Sequence, residues 1–289
     1  MKLSFSSNAY TRHSVFTAVE RIAAIGYQGL ELLADIPHIF PPTFTDFDLQ
    51  RLQTLLQKNS MVVANINANT AVGYYGRPFW EPLFEPSLAN PDDAARKWRL
   101  DYTKKCVAIA HQLGAPHVSV TSGCMLPGVD PQQSLDYLRL SLREIVSYAE
   151  KFSIGIGIEY EPGLLISCCD ELVCFLEEFD SPFLGANLDL GHSHVSGEDH
   201  NEVIAGLGNK IFHIHLEDIK KRKHYHLIPG LGDMDFVSIF HALERQKYDG
   251  YLTVELYTYP NTPDEAARMS LAYLRELPFR SAKEKELCA

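Results

Sequence analysis

Four acids and histidines close four separate short segments of the chain. Glu159 ends GIGIE, Asp189 ends GANLD, His215 ends IFHIH and Glu255 ends YLTVE. Each segment alternates. Ile154, Ile156 and Ile158 share one parity, and Gly155, Gly157 and Glu159 the other; Leu188 and Leu190 oppose Asn187 and Asp189. Phe212, Ile214 and Leu216 oppose His213 and His215, and Leu252, Val254 and Leu256 oppose Thr253 and Glu255. A β-strand sends successive side chains to opposite faces, so each polar residue falls on the face away from the aliphatic ones. One such residue alone would be an ordinary hydrogen-bonded interior group. Four at matching strand ends argue for a shared site.

Three carboxylates and one imidazole make a hard, mixed oxygen and nitrogen donor set. It suits one divalent ion, Mn²⁺ first and Mg²⁺, Co²⁺, Fe²⁺ or Zn²⁺ also accommodated, and differs from the thiolate set of a structural zinc. Such an ion can chelate the two oxygens of an α-hydroxyketone and stabilise the enediolate left when the neighbouring C–H proton departs. One carboxylate must take that proton and another acid must return it, and Glu159 and Glu255 are the candidates. Return to the opposite face is epimerisation, return to the adjacent carbon is isomerisation, and loss of a β-hydroxyl is dehydration.

The elements that must carry these residues alternate from end to end. KLSFSSNAY reads as a strand, and Val15, Val19, Ile22 and Ile25 then recur at helical spacing up to Gly26. GLELLAD begins a second strand. Helix 45–58, strand 61–67, helix 92–113, strand 117–121, helix 131–151, strand 154–160 and helix 168–179 follow. Strand 183–189, a helix near 199–207, strand 211–216, helix 235–246, strand 251–257 and helix 263–276 complete eight strand–helix pairs. Without a dinucleotide-binding glycine fingerprint, a P-loop or a nucleophile elbow, the repetition predicts a closed (β/α)8 TIM barrel of the α/β class, a single domain over 1–289. The insertion 69–91 carries Tyr74, Tyr75, Phe79, Trp80 and Phe84, and reads either as a lid over the mouth or as a segment packing its own rings.

A net charge of −11 and a pI near 5.5 disfavour partners held through phosphates, so neither nucleic acid nor an anionic membrane is expected. The start of the chain lacks a signal-peptide pattern, which places the expected address in the cytoplasm. The six cysteines form no Cys-x-x-Cys pair and are expected as reduced thiols. A homo-oligomer is compatible with all of this.

The motifs GYQGLEL, IEYEPG, NLDLGH, HIHLED, IPGLGDMDF and YDGYLTVEL together resemble the xylose isomerase-like TIM barrels, which include sugar phosphate isomerases and epimerases, ketose 3-epimerases, inosose dehydratases and the AP endonucleases of family 2. The resemblance implies Glu159, Asp189, His215 and Glu255 as metal ligands, with His192, Arg222 and Glu161 on the substrate. His213 matches no family role and reads as an interior histidine satisfied by a neighbour. The implied activity is a metal-dependent sugar isomerase or epimerase acting on a small ketose, a polyol-like ketone or its phosphate; the alternative is an inosose-type dehydratase.

Two other readings are weaker. An AP endonuclease would need histidines where the ends of the second, third and fourth strands read LELLAD, NINANT and VSVTSG. His224 and His226, in RKHYHLIPG, resemble the region that supplies a third zinc there, with His-x-His in place of Asp-x-His, and leave a second metal open. A barrel that binds metal and polyol without turnover would not need both acid–base glutamates. A neutral substrate is slightly preferred, because Asp233 and Asp235 follow the glycines of IPGLGD that could otherwise cradle a phosphate.

Overall fold

The computed structural model describes residues 1–69, 72–76 and 84–277. Its strands are β1 (Lys2–Ser6), β2 (Gly29–Leu33), β3 (Val62–Asn67), β4 (His117–Thr121), β5 (Gly155–Glu159), β6 (Leu184–Asp189), β7 (Ile211–Leu216), β8 (Asp218–Lys220), β9 (Lys223–Leu227) and β10 (Tyr251–Val254). Eight of them form a closed parallel barrel in the order β1-β10-β7-β6-β5-β4-β3-β2, while β8 and β9 pair as a separate antiparallel hairpin. The helices are α1 (Val15–Ile25), α2 (Asp46–Lys58), α3 (Val72–Tyr75), α4 (Asp93–Leu113), α5 (Pro131–Ala149), α6 (Cys169–Glu177), α7 (Leu190–Ser196), α8 (His200–Leu207), α9 (Phe236–Arg245) and α10 (Pro263–Glu276). Among the described residues no helix is long and apolar enough to cross a membrane.

Local chemistry sets the boundaries. Ser14 caps α1 by accepting from Thr17 N, and Gly26 ends it at φ 110°, a left-handed position that favours glycine. Thr45 and Asp48 form a reciprocal capping box on α2, and Asp92 and Asp130 cap α4 and α5. The outward strand residues Ile156, Ile158, Leu188, Ile214 and Leu252 are buried against the helix layer. That layer and its interface with the strands form the apolar core.

The barrel interior is polar. Its inward positions hold Ser4, Glu31, Asn65, Ser119, Asn187, His213 and Thr253, all buried. Such groups must pair with one another. Asn65 donates to Glu31 and Ser119 at 2.9 Å each, and Ser4 bonds to Thr253. Barrels of this type commonly fill that space with branched aliphatics, so this lining already distinguishes the molecule.

The sequence reading located every barrel strand and the principal helices, and missed α3, α7 and the β8–β9 hairpin. Those three pieces all serve the mouth. Within 69–91, Asp35 anchors α3 by accepting from Val72 N at 2.9 Å and Gly73 N at 2.6 Å, and Tyr74 packs edge-on to Tyr75 and Trp98. Phe79 and Trp80 lie outside the described residues, as does Cys288; Cys106, Cys124, Cys168, Cys169 and Cys174 form no disulfide among the described residues.

Candidate active site

Parallel strands in register bring their C-terminal ends to one rim. There Glu159, Asp189, His215 and Glu255 each place a ligand atom within 4.8 Å of the others, all four buried. His215 Nδ1 is 3.1 Å from Glu159 Oε1, 3.7 Å from Glu255 Oε2 and 3.8 Å from Asp189 Oδ2. The residues selected by parity alone therefore converge.

Amides hold the two glutamates by one oxygen each. Asn69 Nδ2 donates to Glu159 Oε2 at 2.6 Å, while Asn8 and Asn67 donate to Glu255 Oε1 at 2.9 and 3.2 Å. The other oxygen of each carboxylate is the one that faces His215. Burial, aided by the neighbouring carboxylates, pushes Glu255 well above its usual range despite His215. Asn67 and Asn69 come from NINANT, the strand end that lacks histidines.

Asp189 does two jobs through its two oxygens. It caps α7, with Oδ1 accepting from His192 N at 2.7 Å, so the Asp-x-x-His spacing is the geometry of a helix start that swings His192 into the site. Its Oδ2 is buried without a hydrogen-bond partner among the described residues, as are both oxygens of Glu217, which lies alongside. Two carboxylates in contact can only accept, so a proton or a cation must lie between them. Burial and Asp189 push Glu217 well above the usual carboxylate range. Gly191 makes room: a Cβ there would sit 1.6 Å from Glu217 Oε1.

The hairpin adds two histidines. His226 sits beside Glu255 with Nδ1 3.1 Å from the Glu255 carbonyl, and His192 Nδ1 lies 3.1 Å from the Tyr160 carbonyl. A carbonyl only accepts, so both Nδ1 atoms carry hydrogen and both rings turn Nε2 into the site. These converge on His224, whose Nε2 is 3.1 Å from His192 Nε2 and 2.8 Å from His226 Nε2. Burial depresses His226 to about 3, which keeps it neutral. Two imidazoles oriented by carbonyls, with His224 between them, form a donor set that fits a second cation.

The cavity above these groups measures about 370 Å³. Its polar lining includes Glu159, Glu161, Glu255 and the three histidines, and its apolar lining Leu33, Ile36, Val72, Phe84 and Tyr257. Burial pushes Glu161 up to about 7. Arg222 is elsewhere: at the tip of the hairpin with φ 55°, it packs on Gly197 and lines a separate depression with His194 and Asp235. Sequence reasoning did not identify Asn8, Asn67, Asn69, Glu31 or Glu217 as part of this assembly. The alternation of Asn65, Asn67 and Asn69 was the signal for the amides.

A closed parallel barrel with this polar rim defines a class, and the match to the model of the xylose isomerase-like TIM barrels over residues 19–277 places the chain in it. The chain belongs to that family. It is 26% identical to fructoselysine 3-epimerase of Shigella flexneri, over 96% of this chain and 98% of the relative. It is 29% identical to inosose dehydratase of Clostridium perfringens, over 47% of this chain and 52% of that enzyme. The structure of a D-tagatose 3-epimerase-like protein superposes with a TM-score of 0.79, at 23% identity and with both chains fully covered. The chain is accordingly a member of a family of enzymes.

Proposed function

We propose that this protein is a divalent-metal-dependent epimerase of a ketose or polyol-like ketone, the whole chain acting as one barrel domain. One observation carries the reading: Glu159 and Glu255, from strands three places apart around the barrel, each turn one amide-anchored carboxylate into the same cavity. The donor set fits a metal, since Asp189 Oδ2 is a buried acceptor without a hydrogen-bond partner among the described residues, set among acids that would otherwise repel. Glu159, Asp189, His215 and Glu255 would hold the ion. Bound there, it would polarise adjacent substrate oxygens and acidify the C–H between them.

The protein's own groups supply the rest. Glu159 and Glu255 exchange the proton with the substrate carbon from opposite sides, and their anchoring amides keep each carboxylate aimed without reorganisation. His192, Glu161 and His224 face the substrate hydroxyls, while Leu33, Ile36, Phe84 and Tyr257 meet its C–H face and exclude water. Arg222 reaches substrate only if the hairpin tip moves.

A neutral substrate is favoured over a phosphate. The N–H groups of Gly230 and Gly232 already donate to Asp218 Oδ2 at 2.9 and 2.7 Å, so that turn has no free donors for an anion. Free ketoses, inososes and ketose phosphates incubated with Mn²⁺ in D₂O provide the test, read by NMR. Deuterium at the inverted carbon of a free ketose is the expected result. Water loss would move the protein to the dehydratase reading suggested by its partial likeness to inosose dehydratase, and silence throughout would leave a non-catalytic binder.

A further inference from the structure

Beneath the rim, Glu31 projects from β2 into the barrel axis, fully buried. Its Oε2 lies 2.6 Å from His215 Nε2, accepts from Asn65 Nδ2 at 2.9 Å, and is 3.4 Å from His213 Nε2. A carboxylate only accepts, so His215 donates through Nε2. Asn187 Nδ2, a donor, lies 3.2 Å from His215 Nδ1, consistent with a lone pair on that atom. The same Nδ1 faces the oxygens of Glu159, Asp189 and Glu255. The imidazole thus stands between a buried anion on one side and the converging ligands on the other.

We propose that Glu31 is a positioning residue for the metal site: it fixes His215 in the Nε2–H tautomer, aims Nδ1 at the cation, and raises the basicity of that ligand. The inference rests on the reading of Glu159, Asp189, His215 and Glu255 as a cation site. A carboxylate behind a ligating histidine holds its ring and tautomer and strengthens its donation, and losing such a partner commonly weakens metal binding about 10–100-fold. Among the described residues Glu31 is the group bonded to His215 Nε2, since Asn65 donates to Glu31 and Ser119, while Asn187 and the ligands lie on the Nδ1 side. Glu31 also accounts for the paired histidines of HIHLED. Both His213 and His215 turn Nε2 toward its one carboxylate, so the first is the interior companion of the second.

Metal affinity and imidazole protonation test this. Free Mn²⁺ is followed by its EPR signal during titration of wild type and Glu31→Gln, each also loaded with Co²⁺ for its ligand-field spectrum and melted metal-free. The expected result is 10–100-fold weaker Mn²⁺ binding and an altered Co²⁺ spectrum in Glu31→Gln. Wild-type affinity within twofold in the variant would overturn the positioning role and leave the metal site standing; absence of binding by wild type would overturn both. Should the variant fail to fold, ¹⁵N NMR of histidine-labelled wild type loaded with Zn²⁺ decides: His215 protonated at Nε2 and metal-bound at Nδ1 supports the inference, and the opposite tautomer refutes it.

Discussion

At the scale of single residues, the site is built by dividing labour between two atoms of one side chain. Glu159 and Glu255 each give one oxygen to amides and one to the cavity, Asp189 one to a helix cap and one to the ligand cluster. Glutamine keeps the size and the anchoring geometry but cannot carry the proton. Glu159→Gln and Glu255→Gln should therefore lower kcat by at least about 10²-fold. Glu159→Gln also removes a carboxylate from a crowded acid cluster, so that metal-free variant should melt higher than metal-free wild type, a combination that simple misfolding would not produce. Activity near wild type in either variant would reassign the proton transfer, first to Glu161.

At the scale of elements, two junctions control how strand ends meet. The turn from β6 into α7 needs glycine at 191 because Glu217 fills the space a side chain would take. Gly191→Ala should cost about 1–3 kcal/mol through overpacking. Glu217→Ala in the same chain should restore part of that loss, and a double-mutant cycle by urea unfolding measures it; strictly additive effects would refute the steric explanation. The second junction joins the ends of β1 and β2 through His38, whose Nε2 lies 3.2 Å from the Tyr10 carbonyl and Nδ1 3.1 Å from Ser7 Oγ. Ser7 Oγ in turn accepts from Leu33 N. Nε2 donates to the carbonyl and Nδ1 accepts the hydroxyl, so the ring is locked neutral and burial depresses it to about 4 from 6.5. The folded value lies below the unfolded one, so this contribution is complete above pH 6.5 and is lost as pH falls toward 4. It is worth on the order of 3 kcal/mol. His38→Gln should flatten the fall of Tm across that window.

At the scale of the whole molecule, the barrel draws eight strand ends together and loads the rim with acids that only a cation or protons can reconcile. Removing metal should therefore lower Tm, and free Mn²⁺ at 100 times its Kd should restore about 2.7 kcal/mol. With Zn²⁺ a second equivalent is expected at His192, His224 and His226, and His224→Ala should abolish that equivalent while leaving the first. Binding of one Zn²⁺ per chain by wild type would refute the three-histidine site.

Strand parity and strand-end position were sufficient to put Glu159, Asp189, His215 and Glu255 on one inward rim, because the period of two and the common polarity of parallel strands are properties of the backbone itself. The glycine stop of α1 at Gly26 was legible for the same reason: it is a contact between residues within a turn of one another. What sequence could not show depends on pairs distant in the chain. Asn8 meets Glu255 and Glu31 meets His215 only because the barrel closes with a particular register and stagger. The β8–β9 hairpin folds His224 and His226 inward and leaves Arg222 at its tip, a choice made by the turn at Lys221 and Arg222, both at positive φ, and invisible in a run that reads as a basic loop. Local periodicity determined which side chains face the axis; closure of the sheet decided which of them touch.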